Sequence, residues 1–572
     1  MFENTYMVGG SVSGAGTPRT VVGVHGAGVL CGRFVTGITT ASAIVDQHAS
    51  RPLGALGQGL RGSITLYVLE SGDPKLTILP DPLGGGLVFS AKDADGVAVS
   101  SDLGALVSFL GLIGKAPRKS LQHVATYVAT GSGGLVDSSY ENIGTVPQFS
   151  FLEFAPAGVE IRDYPAKYDF FHPDVSYDEA LGRVQQEILE NVLALAESGL
   201  ERKVAHLTGG VDSRLVLAAI LAAGKKDEFS FYCSGGPTEP DKIIAGRLAV
   251  EFGLTMTEHS GLNFRLGAES LDQQLLWGFQ HTSGINSGVT HHGGLPSRTV
   301  IASGGYGELL RSFYNKGTAH AGTARETAER IYGRLAFSAD PARRLLSETA
   351  AGEAQVSLHN IIASAATLGV REDARLDYVY LNRRNRYYVG EISRSFSPFS
   401  PRFDPLYSVA GASLSLKLDG MSREANIVGM DLIERFSPGL STLPYDYDRF
   451  GESYIHLRGK PVLRSFTRVG EPKVDSVLKT PVVNARRIPP MRPTEADRLR
   501  ANALKMPPRL ITQFPEIRTG LREIIAGIPS RDFRAAFNPR AVAVLTDREP
   551  SHRAYYRNAR DLYAGLLWYA RG

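Results

Sequence analysis

The sequence predicts an α/β protein: a β-rich first stretch to about residue 170, alternating strands and helices to about 310, and a largely helical remainder. Three observations carry that reading. Short apolar runs such as Val21–Val24, Ile64–Leu69 and Leu76–Leu79 alternate with Gly- and Pro-containing turns before residue 170. From Glu179 onward, strand-like and helix-like runs alternate, which is the pattern of a parallel sheet. Beyond 325, helical spacing dominates, with aromatic and Arg-rich pieces. A chain of 572 residues also exceeds what one hydrophobic core holds, so two or three domains are expected.

Taken in order, Gly84-Gly-Gly86 and Asp93-Ala-Asp-Gly96 read as hairpin turns, and Asp102 as the N-cap of a helix over Leu103–Leu112. Glu179–Leu195 places Leu181, Val184, Ile188, Val192 and Leu195 on one helical face. Val204–Leu207 reads as a strand, Arg214–Ala223 as a helix capped by Gly224, and Glu228–Cys233 as a second strand. A helix from Pro240 to Phe252 and a strand Thr299–Ala302 follow. The 470–510 region, with its Arg486-Arg487 run and prolines, reads as a long loop.

Composition excludes several classes. Apolar residues make up 43% and charged residues 21%, as in ordinary globular proteins, and a net charge of +4 argues against a nucleic-acid partner. Two cysteines, Cys31 and Cys233, are too few for a disulfide framework and too far apart for a metal knuckle. The opening residues lack the pattern of a signal peptide, and no apolar run approaches the ~20 residues that span a bilayer, so a cytoplasmic protein is expected.

The chemistry concentrates in Thr208-Gly-Gly-Val-Asp-Ser213, between a strand and a helix. Gly209 and Gly210 let backbone approach an anion closely, the helix start adds free N–H groups, and Thr208 and Ser213 add hydroxyls. Asp212 would repel phosphate directly and makes sense there with magnesium between them. No G-x-x-x-x-G-K-[ST] occurs, so a Walker-type loop is excluded. A cradle of glycines and hydroxyls suits pyrophosphate as a leaving group, which predicts attack at the α-phosphate of ATP. The rival reading is a helix-capping turn with a structural aspartate. The βαβα context, with the loop at the carboxyl end of its strand, favours nucleotide binding.

On these residues the chain resembles the asparagine synthetase family, and more narrowly its members without glutamine hydrolysis, the β-lactam synthetases and the macrolactam-forming lasso-peptide cyclases. Thr208–Ser213 is similar to the family's S-G-G-x-D-S, with Thr for the first Ser. Ser230-Phe-Tyr-Cys233 and Pro240-Asp-Lys242 resemble its second strand and following helix, and Ser303-Gly-Gly-Tyr-Gly-Glu308 its S-G-x-G-x-D-E. Glu391-Ile-Ser-Arg394, Ser397-Pro-Phe399 and Asp404 resemble its G-x-E-x-R-x-P-F-L-D segment. Leu60-Arg-Gly62, Asp81-Pro-Leu-Gly84 and Ser100-Ser-Asp-Leu103 are similar to its amidohydrolase domain.

The resemblance implies two domains. Residues 1–170 would be a degenerate N-terminal-nucleophile α/β/β/α sandwich, with Phe2 where the family carries its cysteine and no N-G-E segment. Residues 171–572 would be an ATP-pyrophosphatase synthetase domain with a helical C-terminal cap. It further implies ATP contacts from Leu207, Thr208, Gly209, Gly210, Asp212, Ser213, Cys233, Ser303 and Gly304, with Mg2+ on Asp212 and Glu308. Tyr306 with Glu391 would deprotonate the attacking amine, and loops 280–297 and 386–404 would exclude water. The implied activity is adenylation of a carboxylate with loss of pyrophosphate, then amide formation with an amine, within one molecule or between two. The implied partners are a small-molecule or peptide acid and amine, together with biosynthetic partner proteins.

Each assignment has a plainer rival. Glu308 is also a helix-capping carboxylate, Tyr306 a packed loop tyrosine, and Glu391 an ion-pair partner for Arg394 or Arg386. The family's late lysine has no firm counterpart; Lys460, Lys473 and Lys479 lie in its region. His291-His292 point in different directions and make a poor metal pair. Rival functions are an ammonia-dependent asparagine synthetase, a thiolating tRNA-modification enzyme, for which paired cysteines and a basic surface are lacking, and a nucleotide-binding scaffold with weakened chemistry.

Overall fold

A computed structural model describes residues 19–70, 75–156, 158–257, 270–288, 298–314, 323–335, 345–397, 400–475, 492–548 and 552–571. The expectations on Phe2, His291-His292, Lys479, Arg486-Arg487 and residues 398–399 lie outside the described residues.

The fold is mixed α/β. In the first stretch, five antiparallel strands run in the order Arg19–Gly26, Ile64–Glu70, Lys75–Pro80, Ser150–Ala155 and Gly158–Asp163. Period-two alternation splits their side chains between two cores. Ile64, Leu66, Val68, Leu79 and Phe151 pack with the helices Ile38–Gln47 and Leu53–Gly57 on one face. Ile78 and Leu152 meet Val88, Val146 and Val99 on the other. There the small sheet Val97–Ser100, Phe89–Lys92, Ile143–Thr145 lies, covered in turn by Leu103, Leu106 and Leu110 of the helix Leu103–Leu112. The layers therefore run helix, sheet, sheet, helix.

Local chemistry sets these elements. Asp102 caps its helix by accepting from Ala105 N at 3.0 Å, and Asp93 closes the hairpin turn by accepting from the amides of Asp95 and Gly96. Gly84–Gly86 is not a hairpin turn. It carries the chain from one sheet to the other, with the Asp81 carboxylate accepting from Gly85 N and Gly86 N at 3.1 and 2.5 Å.

The second sheet has six strands, all parallel, in the order Arg402–Phe403, Thr299–Ala302, Arg202–His206, Ser230–Tyr232, Thr255–Thr257, Lys473–Asp475. Helices Tyr177–Ala196, Val211–Ala222, Pro240–Phe252 and Ile427–Phe436 bury their apolar faces around it. The 470–510 region departs from the expected loop: Lys473–Asp475 supplies the edge strand and Glu495–Leu504 a helix with a Thr494/Asp497 capping box. Gly224 takes the expected left-handed cap (φ 65°) beyond Ala222.

A third core is helical. It joins Leu121–Thr130 from the first stretch to Leu271–His281, Glu348–Thr367, Phe514–Gly527 and the final helix Arg553–Arg571. The described part of the first 170 residues is thus knitted into the rest of the chain. Among the described residues, no helix is long and apolar enough to cross a membrane.

Candidate functional site

Arg202–His206 lies inside the parallel sheet, so the loop at its carboxyl end opens where neighbouring strands also end. Within the loop, Thr208 N–H donates to Ser213 Oγ (3.0 Å), and Gly210 N–H donates to Thr208 Oγ1 (3.1 Å). The hydroxyls of Thr208 and Ser213 therefore hold the turn's own shape. Gly209 N–H donates to Asp241 Oδ1 at 2.8 Å, on the helix that follows the next strand. Gly209 also lies so close to Asp446 that a Cβ would stand 2.5 Å from that residue's Cβ, which only glycine permits. Leu207 N–H continues the sheet by donating to Tyr232 O (2.8 Å), and Cys233 O accepts from Lys242 Nζ at 2.8 Å. Burial pushes the Cys233 thiol up to about 11, so it stays protonated.

A second loop, Ser303–Glu308, follows the neighbouring strand and lies on the first. A Cβ on Gly307 would come within 2.8 Å of Asp212 Oδ1, and one on Gly304 within 3.1 Å of Asp212 Cβ. Asp212, in the first turn of Val211–Ala222, pairs with Arg311 (Nη2 to Oδ2, 2.7 Å). Glu308 Oε2 is buried with no hydrogen-bond partner. Burial, and then the neighbouring Asp212 carboxylate, push the Glu308 carboxyl up to about 7, against the pull of Arg311. A buried carboxyl with an unpartnered oxygen, close enough to a second carboxylate to be pushed up by it, is a pair that a hard divalent cation satisfies, so Asp212 and Glu308 fit magnesium. The cavity beside Glu308 and Arg311 is only about 10 Å³, room for one water and not for a nucleotide.

The other expected site residues sit elsewhere. Ser303 Oγ is bound to the Asp404 carboxylate and accepts from Arg402 Nη2 at 2.8 Å, while Ser393 Oγ donates to Asp404 Oδ2 at 2.6 Å. Tyr306 and Glu391 are not joined as a proton-transfer pair. Tyr306 is fully buried in a left-handed backbone conformation (φ 65°), its hydroxyl 3.2 Å from Ser63 Oγ in the antiparallel layer and its ring 4.8 Å from Tyr407. Burial, with Asp81 nearby, raises its phenol well above the ordinary range and removes it as a base at neutral pH. Glu391, also fully buried, has both oxygens on Arg394, which reaches on to His25 Nε2 at 3.2 Å. This is the ion-pair reading of Glu391, realised with Arg394 in place of Arg386.

Two arginines that a search for lysines misses stand against the Thr208–Ser213 loop. Arg311 is one. The other is Arg449, whose Nη2 lies 3.6 Å from where a Cβ on Gly210 would be; it donates to Asp446 Oδ1 (2.7 Å) and lies over the Tyr447 ring, and its Nε is buried without a partner. Arg214, fully buried, holds this segment in place by donating to the carbonyls of Leu440, Leu443 and Pro444 and stacking on Tyr445 at 3.6 Å. Lys460 and Lys473 are exposed, Lys473 on the sheet edge. No local sequence signal marks Arg449; its place follows from a contact spanning more than 200 positions.

No family model matches the chain, and no curated protein matches it in sequence.

Proposed function

We propose that this protein is an ATP-dependent synthetase that adenylates a carboxylate, releases pyrophosphate and passes the acyl group to an amine. The observation that carries the reading is the meeting of two loops at the carboxyl ends of adjacent parallel strands, which brings Glu308, with its unpartnered oxygen, within electrostatic reach of Asp212 at the start of a twelve-residue helix. Magnesium held by Asp212 and Glu308 would neutralise the leaving phosphates.

The chain's own groups do the rest. The start of Val211–Ala222 presents positive potential to phosphate oxygens, and Arg449 adds a fixed charge beside Gly210. A carboxylate oxygen of the acid attacks the α-phosphorus, and the bond from that phosphorus to the β-phosphate bridge breaks. The amine nitrogen then attacks the acyl carbon, AMP departs, and the amine proton passes to solvent or a carboxylate. Arginine in place of lysine near the α-phosphate keeps the charge at any working pH and offers two donors to one phosphate.

Gly209 N–H on Asp241 and the contact of Gly209 with Asp446 favour a second reading, a scaffold whose loop is filled by its own carboxylates. ATP–pyrophosphate exchange over a panel of free amino acids and peptides separates the two. The synthetase reading expects acid-dependent exchange that falls at least about a hundredfold in Asp212→Asn while the circular dichroism spectrum is kept, the scale of losing one transition-state contact. Absence of exchange in the unsubstituted protein, whether or not MgATP binds, would leave the scaffold.

A further inference from the structure

Resting on the reading of Asp212 and Glu308 as a magnesium site, we infer that Arg311 is that site's internal counter-ion: it occupies Asp212 in the nucleotide-free chain and passes to a phosphate oxygen when the divalent ion arrives.

Charge balance leads there. Two carboxylates, Asp212 and Glu308, face one guanidinium, and that guanidinium donates to Asp212 alone, leaving Glu308 Oε2 without a partner. A single monovalent side chain therefore leaves Glu308 without a counter-charge whenever it is ionised. A divalent ion spanning both carboxylates corrects this and at the same step turns Arg311 into an unpaired cation. It then needs an anion within its own reach, and the anion that arrives together with the divalent ion is the nucleotide's phosphate. The geometry permits the exchange. Arg311 follows the short helical turn Gly307–Leu310, and its side chain keeps 27% of its surface exposed, with 24% for Asp212, so the pair is reachable from solvent. Asp241 at Gly209 N–H plays the complementary part, a carboxylate resting where phosphate would sit. Both halves of the ligand, cation and anion, thus have a protein side chain standing in for them. Arg311 acts here as a positioning residue for ion and nucleotide.

The inference predicts effects of opposite sign. In the absence of nucleotide, Arg311→Gln should bind Mn2+, read by electron paramagnetic resonance, about tenfold tighter than the unsubstituted protein, because the competitor for Asp212 is gone. At saturating Mg2+ the same variant should bind ATP about tenfold more weakly by calorimetry, because the phosphate contact is lost. Thermal melting checks its fold, and Arg311→Met, which keeps the stem, is the second variant. Ion affinity that falls or stays unchanged in both variants overturns the inference. An unsubstituted protein that binds no MgATP while its Mn2+ affinity still rises on Arg311→Gln removes the synthetase reading and leaves Arg311 as counter-ion. No Mn2+ binding in any of the three removes both.

Discussion

His123 is fully buried in the helix Leu121–Thr130, with Nε2 2.9 Å from Gly284 O and Nδ1 without a partner. The geometry sets the tautomer: Nε2 carries the proton and donates to the carbonyl. Burial drops its pKa from 6.5 to about 4, so the folded state resists a second proton that the unfolded chain accepts. The contribution to stability is full above pH 6.5 and is lost as the pH falls towards 4, because the unfolded state then binds more protons. Linkage over those values gives about 2 kcal/mol lost between pH 8 and pH 5. His123→Phe should lose that slope while costing stability at pH 8 through the orphaned Gly284 carbonyl. Urea midpoints of both proteins at the two pH values check this, and identical shifts with pH would show that His123 titrates normally. His25 has the same direction of shift for a different mix of causes. Burial leads, but the Arg394 guanidinium also opposes its protonation, and the charge on Arg394 is already matched by Glu391. That network explains why Glu391 is withdrawn from any part in proton transfer.

Elements were legible where the signal is local. The helix Pro240–Phe252 and the strand Thr299–Ala302 fall where periodicity and capping place them, and Asp102 and Gly224 act as the caps their positions suggest. The turn Thr208–Ser213 between strand and helix was legible for the same reason. What escaped was every contact made across the chain: Arg214, read only as part of a helix-forming run, is the clasp for residues 440–445, and Tyr306 and Glu391, paired by resemblance, are claimed by Ser63 and Arg394. A buried arginine serving three carbonyls has no sequence periodicity. Its energetic weight is nonetheless large, since each buried carbonyl left unpaired costs about 1–3 kcal/mol. Arg214→Met keeps the stem but removes all three donors, so about 3–5 kcal/mol of stability should go. Because the loss falls on one segment, limited proteolysis should cut first within residues 440–450, and Arg449 should lose its place beside Gly210. Cleavage at the unsubstituted rate, mapped to other segments, would refute the clasp.

At the scale of the whole molecule, the first 170 residues, expected as a separate unit, cannot be lifted away without opening cores. Leu121, Val124, Tyr127 and Val128 are buried in the helical core with the final helix, where Val124 closes on Gly565, Tyr127 meets Phe279 at 5.0 Å, and Lys119 lies over Trp568 at 5.1 Å. On the opposite side Phe34 packs edge-on to Phe403 at 5.4 Å. Arg61 donates to Asn191 and Glu190 at 2.8 and 2.9 Å, and Tyr407 donates to the buried Asp81 at 2.8 Å. Exposing a large apolar side chain costs about 1.5–3 kcal/mol, so uncovering Leu121, Val124, Tyr127, Val128 and Phe34 alone removes roughly 8–15 kcal/mol. That matches or exceeds the net stability of about 5–15 kcal/mol typical of a domain. Residues 1–170 expressed alone should therefore show no cooperative thermal transition by calorimetry. The complete chain should melt the antiparallel layers together with the final helix, followed by Trp568 fluorescence after replacing Trp277 with Phe. A sharp transition in the excised piece, with the helix content of Ile38–Gln47, Leu103–Leu112 and Leu121–Thr130 retained, would mean that the sandwich is self-sufficient and the shared core incidental to it.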